Sequence, residues 1–231
     1  MPDFLSLHDA EQIAAEAAPV VKPGLARVFA GMIQNPAETL RQAFEHPIPS
    51  YALIFAGAGG VYWALNFAVL QASGQTASLP MLLSAVVLLG IPLGIAYLFL
   101  VAILMNWSAD ILGGRPTRMG IRMLLAYVGV PGLVALVLFG LPKMLIFGQG
   151  LFMPERAWMS QSPALAWGLW FGDAVCFTWS LMLLVKGLRI MNGFSAGRAV
   201  AAVLLPLGPV ALIGLLFVLI AGVGLFTTPA F

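Results

Sequence analysis

Asp173 stands alone among the acidic residues in lying well inside an apolar stretch of this chain. It comes six residues after Trp167, so about 9 Å further along a helix that rises about 1.5 Å per residue. An ionised carboxylate in hydrocarbon is costly unless paired, and such residues are functional candidates by default. Lys143, at the far end of the preceding apolar stretch, is its expected partner. The pair reads either as a structural ion pair or as a proton or cation site, and a protonated, hydrogen-bonded acid is the third possibility. Asn66 is the other polar group set in an apolar stretch, and a hydrogen bond to a neighbouring helix would satisfy it. A second constellation is basic. Arg115, Arg118 and Arg122 follow Asp110 closely, and Arg118 and Arg122, four apart, share a helix face. Asp110 can balance one of them. Arg189 and Arg198 occupy the corresponding place after a later apolar stretch. Guanidinium groups hold phosphate through paired N–H donors, so these five arginines with Asp110 are candidates for a lipid or partner site. The alternative reading is that they only orient the chain.

Catalytic patterns are missing. There is no paired-histidine motif, no phosphate-cradling loop ahead of a lysine, and no Ser-His-acid set with a histidine in an apolar stretch. The two histidines, His8 and His46, lie far from the lone Cys176, so no metal or haem site is expected and no cofactor is implied. The run Ala56-Gly57-Ala58-Gly59-Gly60 is glycine-rich but sits in an apolar stretch, without the strand–helix context of a nucleotide site. An enzyme is not expected, nor a nucleic-acid partner.

Composition dictates the elements that position these residues. Apolar residues make up 61% of the sequence and charged residues 9%, against roughly 25% charged in soluble domains. The expected class is all-α: a polytopic membrane bundle. Spans of about 20 apolar residues fit at 51–70, 80–107, 123–141, 164–185 and 199–226, giving five transmembrane helices. Pro92, Pro131, Pro206 and Pro209 are expected kink points in the second, third and fifth. Nine of the eleven Lys and Arg residues flank these spans on one side; only Lys143 and Arg156 fall in a gap of the other parity. Because such residues concentrate in cytoplasmic loops, the N-terminus is expected in the cytoplasm and the C-terminus outside. The first residues are acidic and show no signal-peptide pattern, so the first span is expected to act as its own insertion signal.

The chain divides into two regions: an N-terminal arm, 1–50, and a five-span membrane domain, 51–231. In the arm, Asn35-Pro36-Ala37-Glu38 reads as a helix start with Asn35 as cap, and Pro47 and Pro49 as its stop. Leu40 and Phe44 share one face, and Leu25, Val28, Phe29 and Met32 form a similar face upstream. Two short amphipathic helices lying on the inner leaflet are expected, with a partner-binding arm as the alternative. Small residues recur every fourth position at Ala52, Ala56, Gly60, Ala64 and Ala68, and again at Ala164, Gly168, Gly172, Cys176 and Ser180; Gly90 and Gly94 add one copy. Such stripes let helices approach closely, within one chain or across a homo-oligomer. A faint repeat also links Asp110-Ile111-Leu112-Gly113-Gly114, Arg118 and Pro131 with Arg189-Ile190-Met191-Asn192-Gly193, Arg198 and Pro209.

Leu112-Gly113-Gly114, Thr117, Ala126-Tyr127 and Pro131, with Pro36-Ala37-Glu38-Thr39 upstream and Trp179 through Leu188 and Gly193 downstream, resemble the Yip domain family of Ypt/Rab-interacting membrane proteins over residues 24–222. The resemblance implies five spans, a cytoplasmic N-terminus and a short non-cytoplasmic C-terminus. The Asp-Leu-Tyr-Gly-Pro run that eukaryotic members share ahead of the first span is missing from residues 1–50, which removes the warrant for a Rab-type GTPase. Eight Arg against three Lys, with abundant Ala, Gly and Leu, suggests a bacterial member in the inner membrane. The implied role is non-enzymatic organisation of membrane or protein partners, anionic lipids among them, through a basic cytoplasmic face. The alternative is a small transporter, channel or lipid-moving protein working through Asp173 and the kinked spans.

Overall fold

The structure, a computed structural model, describes residues 23–153, 162–206 and 208. All its regular elements are helical. In chain order they are α1 (Leu25–Gln34), α2 (Pro36–Glu45), α3 (Pro49–Leu70), α4 (Leu79–Ile111), α5 (Arg118–Val128), α6 (Val130–Ala135), α7 (Leu141–Phe147), α8 (Pro163–Asn192) and α9 (Ala196–Leu204). A π-helical turn, Leu136–Gly140, joins α6 to α7, and 3-10 turns cover Ser73–Gln75 and Gly148–Phe152.

Proline sets many of the starts. Pro36, Pro49, Pro80, Pro131, Pro142 and Pro163 each fall at the first or second position of a helix, where no N–H is needed and the fixed φ suits a helix. Pro131 follows a one-residue interruption of the third span at Gly129 and opens α6. Pro92 lies inside α4. Pro206 follows the end of α9, and Pro209 lies outside the described residues. Stops are equally local. Gly113, at φ +79°, ends α4, with Gly114 N–H reaching back to the Ala109 carbonyl at 2.9 Å, a Schellman closure. Gly193, at φ +65°, ends α8.

Among the described residues, four helical stretches are long and apolar enough to cross a membrane: Pro49–Leu70, Leu79–Ile111, Arg118–Phe152 and Pro163–Asn192. Their outward faces are strongly apolar, with Leu88 and Phe171 each 72% exposed and Leu145 85%. Such a perimeter would be untenable in water but is matched by lipid. The stretch expected as a fifth span, 199–226, begins within α9; most of it lies outside the described residues. The third stretch runs further than the sequence suggests, to Phe152 instead of Leu141.

The first and second long helices form the tightest contact. A Cβ on Gly60 would overlap the Gly90 carbonyl and the Gly94 backbone, and one on Gly94 would overlap the Ala56 carbonyl. The first stripe is therefore a seam inside the chain. In the second stripe, Gly172 lies under the Phe139 ring, whereas Gly168 faces open space.

Two apolar cores occupy opposite ends. One joins α1 and α2 to α5, α8 and α9 through Met32, Leu40, Ile121, Leu124, Leu188 and Ala199. The other gathers Leu65, Leu82, Val86, Leu151, Phe152 and Ala166. The arm forms two helices, α1 and α2, whose apolar faces pack against the protein. Met32 and Leu40 are fully buried in the protein, because the ends of α5 and α8 offer an apolar surface there. Tyr51 anchors the arm by donating to the Pro23 carbonyl at 2.9 Å. The Asn35 side chain makes no cap bond; its carbonyl accepts from the Thr39 hydroxyl at 3.0 Å instead. Ser108 donates to the Ala202 carbonyl at 2.7 Å and ties α4 to α9.

Gly60→Leu should lower stability by at least about 1–3 kcal/mol, since the helix backbones must part. Gly168→Leu should stay within about 0.5 kcal/mol. Thermal unfolding in mild detergent distinguishes them. Equal losses would mean that the seam does not hold the two helices, and a mass change confined to Gly168→Leu would move an oligomer seam to the second stripe.

Candidate functional site

At the end away from the arginine-bearing turns, α3, α7 and α8 surround a cavity of about 260 Å³. The seam fixes which side chains enter it. Gly60 and Tyr62 are about 200° apart around a helix at about 100° per residue, so holding Gly60 against α4 turns Tyr62 away from it. Asn66, one turn on, shares that face. The opposite wall is α8, which supplies Trp170, Asp173 and Phe177. Lys143 comes from α7, displaced by the π-helical turn ahead of it. Such single-turn insertions often mark functional sites.

Lys143 and Asp173 form an ion pair, with Nζ donating to Oδ2. Tyr62 donates its hydroxyl to Asp173 Oδ1 at 3.3 Å. Asn66 donates Nδ2 to the Tyr62 carbonyl at 2.9 Å, within its own helix. Among the described residues no hydrogen bond from Asn66 to a neighbouring helix occurs, where the sequence suggested one. Both carboxylate oxygens thus hold a donor. Lys143 has three donors, and among the described residues only Asp173 accepts from it. The Lys143 side chain is 9% exposed and that of Asp173 17%, so the pair is largely withdrawn from solvent while its residues line the cavity. Sequence reasoning does not single out Tyr62 or Trp170. The spacing of Tyr62 four residues before Asn66 is a usable signal; nothing in the sequence points to Trp170 over the other tryptophans.

The second constellation lies at the opposite end. The turn after α4 and the turn after α8 pack on each other: a Cβ on Gly114 would strike Phe194 and Asn192, and one on Gly120 would meet the Met191 sulfur. Each turn also opens its next helix with a hydroxyl cap. Thr117 accepts from Gly120 N–H at 3.0 Å and Ser195 from Arg198 N–H at 3.4 Å. The repeat noticed in sequence therefore has matching turn geometry. Arg115, Arg118, Arg189 and Arg198 are exposed, and Arg122 lies over the Phe99 ring at 4.6 Å, a cation–π contact. Asp110, expected to balance one of them, makes no ion pair; among the described residues the only one is Lys143–Asp173. No acid among the described residues lies within ion-pair distance of these guanidinium groups. No group of metal-binding side chains occurs among the described residues.

Against known families, the Yip1 domain matches residues 30–220, bearing out the resemblance read over 24–222. No curated protein and no solved structure matches the chain.

Lys143→Met alone should be strongly destabilising, by about 3–5 kcal/mol, because it strands Asp173. Adding Asp173→Asn should restore most of that loss. The comparison is read by thermal unfolding of both proteins in detergent; a double variant as unstable as the single one would mean the ion pair is not what the site depends on.

Proposed function

The chain belongs to the Yip1 domain family of membrane proteins, and from that premise we propose that it organises membrane or protein partners without catalysis, through a basic face in the cytoplasm of a bacterial cell. The supporting observation is the mutual packing of the two arginine-bearing turns. Separately, Arg115 and Arg118 on one turn and Arg189 and Arg198 on the other would be ordinary loop charges. Held against each other by Gly114, Phe194, Gly120 and Met191, they form a preorganised cationic surface with no acid within ion-pair distance among the described residues. Such a surface suits the phosphate groups of anionic lipids at the inner leaflet. Each guanidinium near the headgroups contributes about 1 kcal/mol, and short, fixed loops forfeit little conformational entropy on binding. The arm adds Arg27 and Arg41, both exposed, and its helices are docked on the same end.

The alternative, a small transporter or channel using Asp173 as a cation site, has less support. Lys143 already neutralises the carboxylate, so a lone cation would bring an unbalanced charge into the site.

Phosphatidylglycerol titrated into detergent-purified protein, with adducts counted by native mass spectrometry, tests the reading. Replacing Arg115, Arg118 and Arg198 by Ala should remove about 3 kcal/mol and so weaken binding about a hundredfold. Identical titrations for both proteins would reduce these arginines to topology signals.

A further inference from the structure

The cavity around Lys143 and Asp173 is independent of the arginine surface and has its own chemistry. Two features set what it can hold. The first is shape. At Tyr62 and Phe177 it adjoins a second cavity of about 220 Å³, a groove lined among others by Trp63, Tyr97, Val101 and Leu125. Asn66, Lys143 and Asp173 thus set a small polar patch in an otherwise apolar cavity, on a helix bundle whose perimeter is itself apolar. The arrangement suits a headgroup attached to a hydrocarbon chain. The cavity lining runs along α3 from Tyr62 to its end at Val69 and Leu70, and so reaches one end of a span.

The second feature is charge. The pair is neutral as it stands, and in surroundings of low dielectric any added unpaired charge is costly. An anionic headgroup would bring a second negative charge beside Asp173. A cationic one would bring a second positive charge beside Lys143. A headgroup carrying one of each leaves the site neutral. Lys143 retains donors that no described residue uses, so it can hold a phosphate oxygen. Asp173, with two lone pairs on each oxygen, can accept from an ammonium, and the Trp170 ring on the same wall can face that cation. We propose that this cavity is a binding site for a zwitterionic phospholipid. The phosphate rests on Lys143, the ammonium on Asp173 and Trp170, and one acyl chain lies in the groove beyond Tyr62 and Phe177. The lipid comes from the leaflet opposite the arginine surface.

Two variants test this without depending on each other. Ala174 lines the cavity and is exposed, so Ala174→Trp fills the space from the rim. The paired change Lys143→Met with Asp173→Asn removes both charges together and avoids an orphaned ion. Phosphatidylethanolamine and phosphatidylglycerol with identical chains are titrated into the detergent-purified full chain, and adducts are counted by native mass spectrometry. Phosphatidylethanolamine affinity should fall at least tenfold in each variant, while phosphatidylglycerol affinity changes less than twofold. Unchanged phosphatidylethanolamine binding in Ala174→Trp would overturn the site. An equal fall for both lipids would overturn its preference for a zwitterion. Neither result bears on the arginine surface, whose readout is the phosphatidylglycerol affinity of a different variant.

Discussion

The close approach of two helices at Gly60, Gly90 and Gly94 constrains most of the remaining structure. In lipid, helix association has no hydrophobic drive and depends on backbone proximity and packing. Side chains at these positions would part α3 from α4. With the seam closed, the rotation of α3 is fixed, and its far face carries Phe55, Tyr62 and Asn66 toward the other spans. Phe55 meets Tyr127 edge-on at 5.4 Å, and Tyr62 reaches Asp173. One glycine contact therefore sets both the packing of the arginine end and the polar wall of the cavity at the other.

The two ends treat charge in opposite ways. At one, guanidinium groups are exposed and have no ion-pair partner among the described residues, on turns closed by glycines and hydroxyl caps. At the other, the only intramembrane ion pair among the described residues is largely buried and internally neutral. A surface of the first kind attracts opposite charge from a distance. A site of the second kind discriminates by penalising any unbalanced charge brought into it. The apolar perimeter between them confines the molecule to a bilayer, which makes the leaflets the natural source of ligands for both.

Much of this is legible in the sequence. Long apolar runs announce spans because nothing else in a chain so poor in charge can satisfy its backbone. The start at Pro36 and the turn at Gly113-Gly114 arise from local chemistry. The end of the third stretch is misleading for a physical reason: Gly140-Leu141-Pro142-Lys143 resembles a stop. Yet Pro142 sits near the start of α7, where proline is tolerated, and Asp173 neutralises the lysine. The burial of Met32 and Leu40 against the protein is also hidden, since amphipathicity states that a face must be covered and not by what. Tyr62 escapes notice because a tyrosine in a span is ordinary until the rotation of its helix is known. The packing of one arginine turn on the other depends on contacts nearly 80 residues apart, such as Gly114 with Phe194, which no local pattern reveals.

The proposed organising role requires the arginine surface to face the cytoplasm, which puts the cavity end on the other side. Cysteine labelling in intact cells addresses this directly, in a background where Cys176 is replaced by Ser. Gly197→Cys marks the arginine end and Gln75→Cys the other; both positions are exposed. With a membrane-impermeant maleimide, Gln75→Cys should label in intact cells and Gly197→Cys only after the membrane is opened. Labelling of Gly197→Cys in intact cells, with Gln75→Cys protected, would invert the orientation and contradict the proposed cytoplasmic role.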